Sequence, residues 1–351
     1  MHRYPLNMMR VEVLQSLFDS SGKGLEIGPS HNPLMPKTAG FDVEILDYLD
    51  ADHLRSKYAE AGCDVSRVEE VDYISDGRRM FEVIGQRHRY DWIVASHVVE
   101  HVPDLLAFFN DCEALLKPNG SLVLAVPDKR CCFDILRPLS TVGQVLQAHV
   151  DGRTKPPPGV IFDDLAYARK RNDQIGWSLT SREPLTGVRS VEQAARFFEN
   201  TRDTGEYVDV HCWVFVPSSF RLIVNALRSL EMTRLSEQRF CLGEGEFYAV
   251  LAAGASPGPI DLGSLALAAQ TEERLSNLIN SDPATQSAAF EVESPLVRLQ
   301  RELTLAVEAQ SNALEKEARS AQLVSSVTNS MSWKVTAPLR SMKRLIMRRR
   351  I

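Results

Sequence analysis

The sequence predicts an α/β fold: a doubly wound, mostly parallel seven-stranded sheet closed by an antiparallel terminal hairpin. Three observations predict it. Short apolar strands alternate with amphipathic helices through the first 128 residues, the rhythm of a parallel sheet with helices on both faces. One early strand ends at Gly28 and the next closes on Asp47, the roughly twenty-residue spacing of a nucleotide cradle. The last two apolar runs are separated by Gly243 and Gly245, which turn the chain back on itself.

Taken in order, residues 7–20 place Met8, Val11, Leu14, Leu17 and Phe18 at helical spacing and lead into the first strand, Leu25 to Ile27. A loop carrying Gly28, Pro29, Ser30, Asn32 and Pro33 joins it to the second strand, Val43 to Leu46. The stretch LDADHLRSKYAEAG reads as a helix stopped by Gly62. Val68 to Tyr73 reads as the third strand, with Asp72 near its end, and Arg79 to Gln86 as the next helix. Trp92 to Ala95 is a strong fourth strand. The helix from Asp104 to Leu116 carries Leu105, Phe108, Phe109, Cys112, Leu115 and Leu116 on one side and stops at KPNG. Ser121 to Val126 is a fully apolar fifth strand closed by Pro127 and Asp128. Residues 129–210 are less regular, include a triple proline at 156–158, and read as a substrate-side insertion holding short helices. Regularity returns with a helix opened by Pro217-Ser218-Ser219 and running to about Leu230, then strands Met232 to Phe240 and Glu246 to Leu251.

The first domain is thus expected to span residues 1–255. SPGPIDLGS opens a linker with a short helix (256–294). Residues 295–330 space Leu296, Leu299, Leu303 and Ala306 at three- and four-residue steps, interrupted by Gln310 and Glu317, as in a short, imperfect coiled coil. Such a segment suits homo-oligomerisation. Residues 331–351 form a basic amphipathic tail in which Lys334, Arg340, Lys343, Arg344, Arg348, Arg349 and Arg350 interleave with Leu339, Met342, Leu345, Ile346 and Ile351. That pattern suits an anionic membrane surface, and the bland reading is a solubilising tail.

Composition bounds the function. The hydrophobic share of 44% and charged share of 25% are those of an ordinary soluble globular chain, and the net charge of -6 argues against nucleic acid as a partner. MHRYPLNMMRVEV is not a secretory leader, and no apolar run reaches membrane-spanning length. The six cysteines form no CxxC pair, so a cytoplasmic protein, peripheral at the inner face of the plasma membrane through its tail, is expected.

The loop after the first strand decides the ligand class. A dinucleotide site needs three glycines to seat a pyrophosphate, whereas here Gly28 is followed by Pro29, Ser30, His31 and Asn32, with no further glycine before Gly40. A phosphate-free adenosine ligand escapes that requirement, and S-adenosyl-L-methionine is the common one. Asp47 can chelate both ribose hydroxyls; its alternative is capping the helix that follows.

The order LEIG, VEILD, VDY, DWIVASHVVEHV and LLKPNGSLVLAVPD over residues 20–130 resembles the class I S-adenosylmethionine-dependent methyltransferases. LEIGPSHNPL, SHVVEHVPD, VPDKR and DVHCWVFVP resemble a bacterial group associated with surface-polysaccharide biosynthesis, and NSMSWKVTAPLR resembles a short tail on glycan-assembly enzymes. The resemblance implies a Rossmann-like fold whose sheet closes in a terminal hairpin, and a cofactor held by Glu26, Gly28, Pro29, Ser30, Asp47, Asp72, Ser96 and His97. It also implies a sugar or glycan acceptor, with glycan-assembly glycosyltransferases as partners. The glycine loop keeps only its first glycine, a departure from the family pattern.

Methyl transfer from a sulfonium needs mainly alignment and removal of the acceptor's proton. The candidate bases are His97, His101, His149, His211 and Asp128. Lys129, Arg130, Arg137 and Arg153 would bind an acidic acceptor, or else form a solvated loop. His97, Glu100 and His101 match the inverted zinc-peptidase pattern. That pattern requires a helix, and the WIVA run before it and Pro103 after it point to a strand end and turn, so no metal is expected. The competing readings are a non-catalytic scaffold with a working helical tail and, less favoured because of the missing glycines, a nicotinamide enzyme.

Overall fold

The computed structural model describes residues 4–254 and 261–279; the coiled-coil and basic-tail expectations lie outside them. Five parallel strands, β1 (Gly24–Ile27), β2 (Val43–Asp47), β3 (Tyr73–Ile74), β4 (Tyr90–Ser96) and β5 (Leu116–Pro127), follow one another, β1 and β2 joined by a loop and the rest by helices. A two-stranded β6 (Arg169–Lys170) and β7 (Thr186–Gly187) hairpin stands apart. The closing pair, β8 (Leu235–Leu242) and β9 (Glu246–Ala253), completes a seven-stranded sheet of order β3-β2-β1-β4-β5-β9-β8. β9 runs antiparallel to both β5 and β8, pairing Pro127 with Glu246. The chain order reverses between β1 and β4, and the crevice beyond their carboxyl ends is where ligands of such sheets bind.

Period-two alternation builds the two faces of the sheet. Leu25, Ile27, Ile93, Ala95, Leu122, Leu124, Phe247 and Ala249 pack with helices α4 (Leu105–Leu115), α5 (Val142–Val150) and α8 (Pro217–Ser229). Val43, Ile45, Trp92, Val94, Val123, Tyr248 and Val250 pack with Leu14 and Leu17, at the end of α1 (Tyr4–Ser16) and just beyond it. Gly24 admits the Trp92 indole on this second face, since a Cβ there would lie 2.1 Å from the ring. Helix α2 (Ala51–Glu60) is capped by Asp50, whose side chain accepts the His53 N–H, so Asp47 is released from a capping role.

Element bounds depart from expectation in places. β3 is two residues long rather than Val68 to Tyr73, because the Asp72 carboxylate takes the Ile45 N–H that a strand carbonyl would otherwise receive. The short helix α3 (Met80–Ile84) lies within the expected span. The irregular insertion contains α5, α6 (Pro158–Tyr167), the β6–β7 hairpin and α7 (Val191–Thr204). Pro158, last of the triple proline, starts α6, where its missing N–H has no partner to lose. Helices α6 and α7 share a small core of Ile161, Leu165, Ala194 and Val210. Helix α9 (Leu262–Ile279) follows the expected linker but docks on the sheet domain. Glu272 accepts the Ser218 N–H at 3.1 Å and Oγ–H at 2.7 Å at the start of α8, and Glu273 pairs with Lys129 at 2.8 Å.

Candidate active site

The loop after β1 is held in an unusual backbone path. Gly28 (φ 63°) and Ser30 (φ 52°) are both left-handed; a glycine meets that requirement freely, and a serine adopts it at a cost. A Cβ on Gly28 would lie 3.0 Å from the Val98 Cγ2 in the loop after β4, so the absence of a side chain keeps the two loops close. Two carboxylates fix the path. Asp47, buried at the end of β2, accepts the Ser30 and Tyr48 N–H groups, each at 2.8 Å. Burial raises its pKa against these two bonds, and the carboxylate keeps lone pairs for further donors. Glu26 accepts the Leu34 N–H at 2.7 Å and the Met35 N–H at 3.1 Å, and complete burial pushes it up to about 7. Glu26 therefore acts on the loop from beneath, on the face opposite Leu25 and Ile27, and does not line the crevice.

Asp72, expected as an adenine contact, is engaged within the fold. It precedes β3, one register step before Tyr73 meets Leu46, and its carboxylate binds Ile45 N–H and Lys37 Nζ, each at 2.7 Å. The acid beyond the carboxyl end of β3 is Asp76, which the sequence reading passed over.

The wall on the β4 side is polar. His97 follows Ser96 with φ 54°, its N–H donating to Ala125 O at 2.9 Å. Its Nε2 lies 2.7 Å from Glu246 Oε2, and the other Glu246 oxygen forms an ion pair with Arg10, Nε at 2.7 Å, and accepts the Tyr248 hydroxyl at 2.5 Å. Burial works to raise the Glu246 pKa, but the His97 bond and the Arg10 charge outweigh it and hold it below the usual range. Arg10 also donates to Ser96 Oγ at 2.5 Å, so helix α1 and the terminal hairpin jointly fix the end of β4. The sequence reading missed Arg10, Glu246 and Tyr248; Glu246, facing Pro127 at the carboxyl edge of β5, was recoverable only from strand register.

Residues 97–101 form a turn and not a helix, as the flanking residues indicated. Glu100 is fully buried, and its carbonyl accepts the N–H groups of Cys212 (2.6 Å) and Trp213 (3.0 Å), which seats His211 beside His101. The two imidazoles meet edge to face with centroids 4.7 Å apart. His101 Nδ1 lies 2.9 Å from Asp209 and His211 Nδ1 2.5 Å from Asp134. Burial alone would lower the His211 pKa, but the Asp134 charge overrides it and raises it.

The structure thus brings His97, His101 and His211 together and leaves two other candidate bases aside. His149 Nδ1 is clasped by Asp104 at 2.9 Å, at the N-terminus of α4. Asp128 is chelated by the Arg130 guanidinium (2.5–3.0 Å) in a buried pair and caps a short 3-10 turn, so it offers no free basic oxygen to a substrate. Lys129, Arg130 and Arg137 are likewise buried in internal pairs, Arg137 bridging Asp134, Asp164 and the His211 carbonyl. Only Arg153 of that group is partly open, and it pairs with Asp151. These residues build the fold of the insertion and are not a receptor for an acidic acceptor.

A parallel sheet with a left-handed glycine loop over β1 and a buried acid closing β2 defines a nucleoside-binding α/β domain. Residues 3–221 match the family model for a methyltransferase domain, and the chain belongs to that family. Its cofactor is S-adenosyl-L-methionine. The crevice fits that group: Gly28 leaves the space a Cβ would fill against Val98, and Asp47 stands buried at the end of the neighbouring strand. Among curated proteins the chain is 50% identical over 44 residues to a ubiquinone biosynthesis O-methyltransferase of Rhodopseudomonas palustris (12% of this chain, 17% of that protein). It is 48% identical over 44 residues to the same-named protein of Bradyrhizobium diazoefficiens, with the same coverage. The match thus spans about a sixth of these relatives' length. Solved structures with similar folds include the CcbJ methyltransferase of Streptomyces caelestis (11% identity, 71% of this chain and 96% of that one, TM-score 0.37). A methyltransferase from Aquifex aeolicus is alike at 11% identity, 72% and 94% coverage and TM-score 0.37. No helix among the described residues is long and apolar enough to cross a membrane.

Proposed function

We propose that the chain methylates a hydroxyl oxygen of a sugar or glycan intermediate of bacterial surface polysaccharide, using S-adenosyl-L-methionine. The observation that carries the reading is the pairing, across one crevice, of the Gly28–Asp47 cradle with the histidine-rich wall after β4. An oxygen acceptor is favoured by the O-methyltransferase names of the locally similar proteins. A glycan is favoured by the LEIGPSHNPL, SHVVEHVPD and tail stretches.

When bound, the cofactor supplies a methyl group already activated on a sulfonium. The protein's own work is to hold Asp47 for the ribose and to align the acceptor. With Nε2–H donated to Glu246, the His97 Nδ1 lone pair is free to accept the proton as the acceptor oxygen takes the methyl group. The imidazolium so formed lies between Glu246 and Glu100, the latter 3.5 Å from Nδ1. The left-handed backbone at His97 is the strain that aims this ring. In this reading the basic segment 331–351 keeps the enzyme at the anionic inner membrane face, beside glycan-assembly glycosyltransferases.

The test is transfer of labelled methyl from S-adenosyl-L-methionine to a panel of monosaccharides, nucleotide sugars, lipid-linked sugars and phenols by the full chain. Label is expected in a base-stable methyl ether, with His97→Ala lowering kcat by about 100-fold or more. Label confined to phenolic acceptors would overturn the glycan assignment. No transfer to any acceptor by folded, cofactor-binding protein would favour the non-catalytic scaffold.

A further inference from the structure

We infer that Glu100, His101 and His211 hold a divalent transition-metal ion, with zinc the best match to the donor set. The three offer ligand atoms that all lie within 4.8 Å of one another. They come from two segments, the turn after β4 and the extended run before α8, which are locked together by the Cys212 and Trp213 N–H bonds to the Glu100 carbonyl.

Glu100 points to a ligand independently of that clustering. It is completely buried, yet neither carboxylate oxygen accepts a hydrogen bond. The nearest nitrogens, His97 Nδ1 at 3.5 Å and His101 Nε2 at 4.0 Å, stand outside bonding geometry. A buried carboxylate left so is costly unless a cation meets it. The histidines are arranged for one. Each donates Nδ1–H to a carboxylate outside the cluster, His101 to Asp209 and His211 to Asp134, and Asp134 is itself held by Arg137 at 2.7 Å. Such carboxylate–histidine pairs fix the tautomer in which Nε2 keeps its lone pair, the arrangement found behind metal-bound imidazoles.

Two imidazole nitrogens and one carboxylate, with a fourth position open, are the donor set of hydrolytic zinc sites. Magnesium and calcium prefer all-oxygen surroundings. Tetrahedral bonds of about 2.1 Å would place the donors roughly 3.4 Å apart, so binding draws them inward by about 1 Å. The open position would take water or a hydroxyl oxygen. The ligand set is not that of the inverted peptidase pattern: residues 97–101 are a turn, His97 is engaged by Glu246, and the second histidine is His211, more than a hundred residues on.

The experiment uses the full chain stripped with chelator and titrated with Zn²⁺ and, separately, Co²⁺. Expected are one tightly bound Zn²⁺ per chain, visible cobalt absorption bands, and loss of both in Glu100→Gln. Asp209→Asn, a change at an exposed residue, should weaken zinc binding about 10- to 100-fold. Titration of each protein with S-adenosylhomocysteine, together with its melting curve, reports whether it is folded. Folded wild type that takes up no stoichiometric zinc at about millimolar concentration would overturn the proposal. So would zinc binding that is unchanged in both variants.

Discussion

Glu26 is the residue at which the structure makes its sharpest quantitative demand. Its carboxylate is wholly buried, accepts two backbone N–H bonds from the far side of the β1 loop, and titrates at about 7 instead of 4.5. Because the folded pKa lies above the unfolded one, the folded protein binds the extra proton between these values, and stability falls as pH rises through that window. Integrating the linkage for this one group from about pH 5 to about pH 8 gives a loss of about 2.5 kcal/mol. Glu26→Gln removes the titration and, because its amide turns a donor toward one of the two N–H groups, adds a pH-independent cost of about 1–3 kcal/mol. The variant should therefore be clearly less stable than wild type at about pH 5 and close to it at about pH 8. Urea unfolding of both proteins at the two pH values measures the difference. An equal gap at both would refute the assignment of this titration to Glu26.

Other predictions follow the same logic. Glu44 is held down to about 2, despite its burial, by bonds from Arg89, Tyr90 and Lys23. Its stabilisation is present above about 4.5 and disappears as pH falls toward 2, so wild type should lose up to about 3 kcal/mol across that window and Glu44→Gln far less, read by acid unfolding. Gly28→Ala must place an alanine at φ 63° with its Cβ 3.0 Å from Val98; a loss of about 1–2 kcal/mol in stability is expected, with weaker cofactor binding by calorimetry. Adding Val98→Ala should relieve the contact and not the backbone term. Glu246→Ala strips partners from Arg10, His97 and Tyr248 together; denaturant titration should show a loss of about 2–4 kcal/mol, larger than for Arg10→Ala.

Much of this was legible in the sequence, and the failures have common causes. The succession of strands along the chain was readable because β1, β2, β4 and β5 are buried on both faces and so appear as apolar runs. The position of Asp47 at the end of β2 was readable because it closes such a run. The place of Asp72 was less legible because β3 is so short: its side chain replaces a ladder bond, and the chain continues to Asp76. Lys129, Arg130 and Arg137 read as binders of an acidic acceptor or as a solvated loop, since a sequence does not reveal that each is buried against an internal partner, two of these partners as distant as Asp164 and Glu273. Glu100 was weighed only as part of the inverted zinc-peptidase pattern and set aside with it. Its surroundings are assembled from residues 97, 101, 134, 209 and 211, and only tertiary packing brings them together.

The central claim is that the crevice over β1 and β2 takes S-adenosyl-L-methionine through Asp47. The most direct measurement is calorimetric titration of the full chain with S-adenosylhomocysteine, beside an Asp47→Ala variant and an NAD control. Wild type should bind with micromolar affinity, weakened at least about 10-fold in the variant, and NAD should give no heat. Equal binding by wild type and variant, or binding of NAD in preference, would contradict that claim.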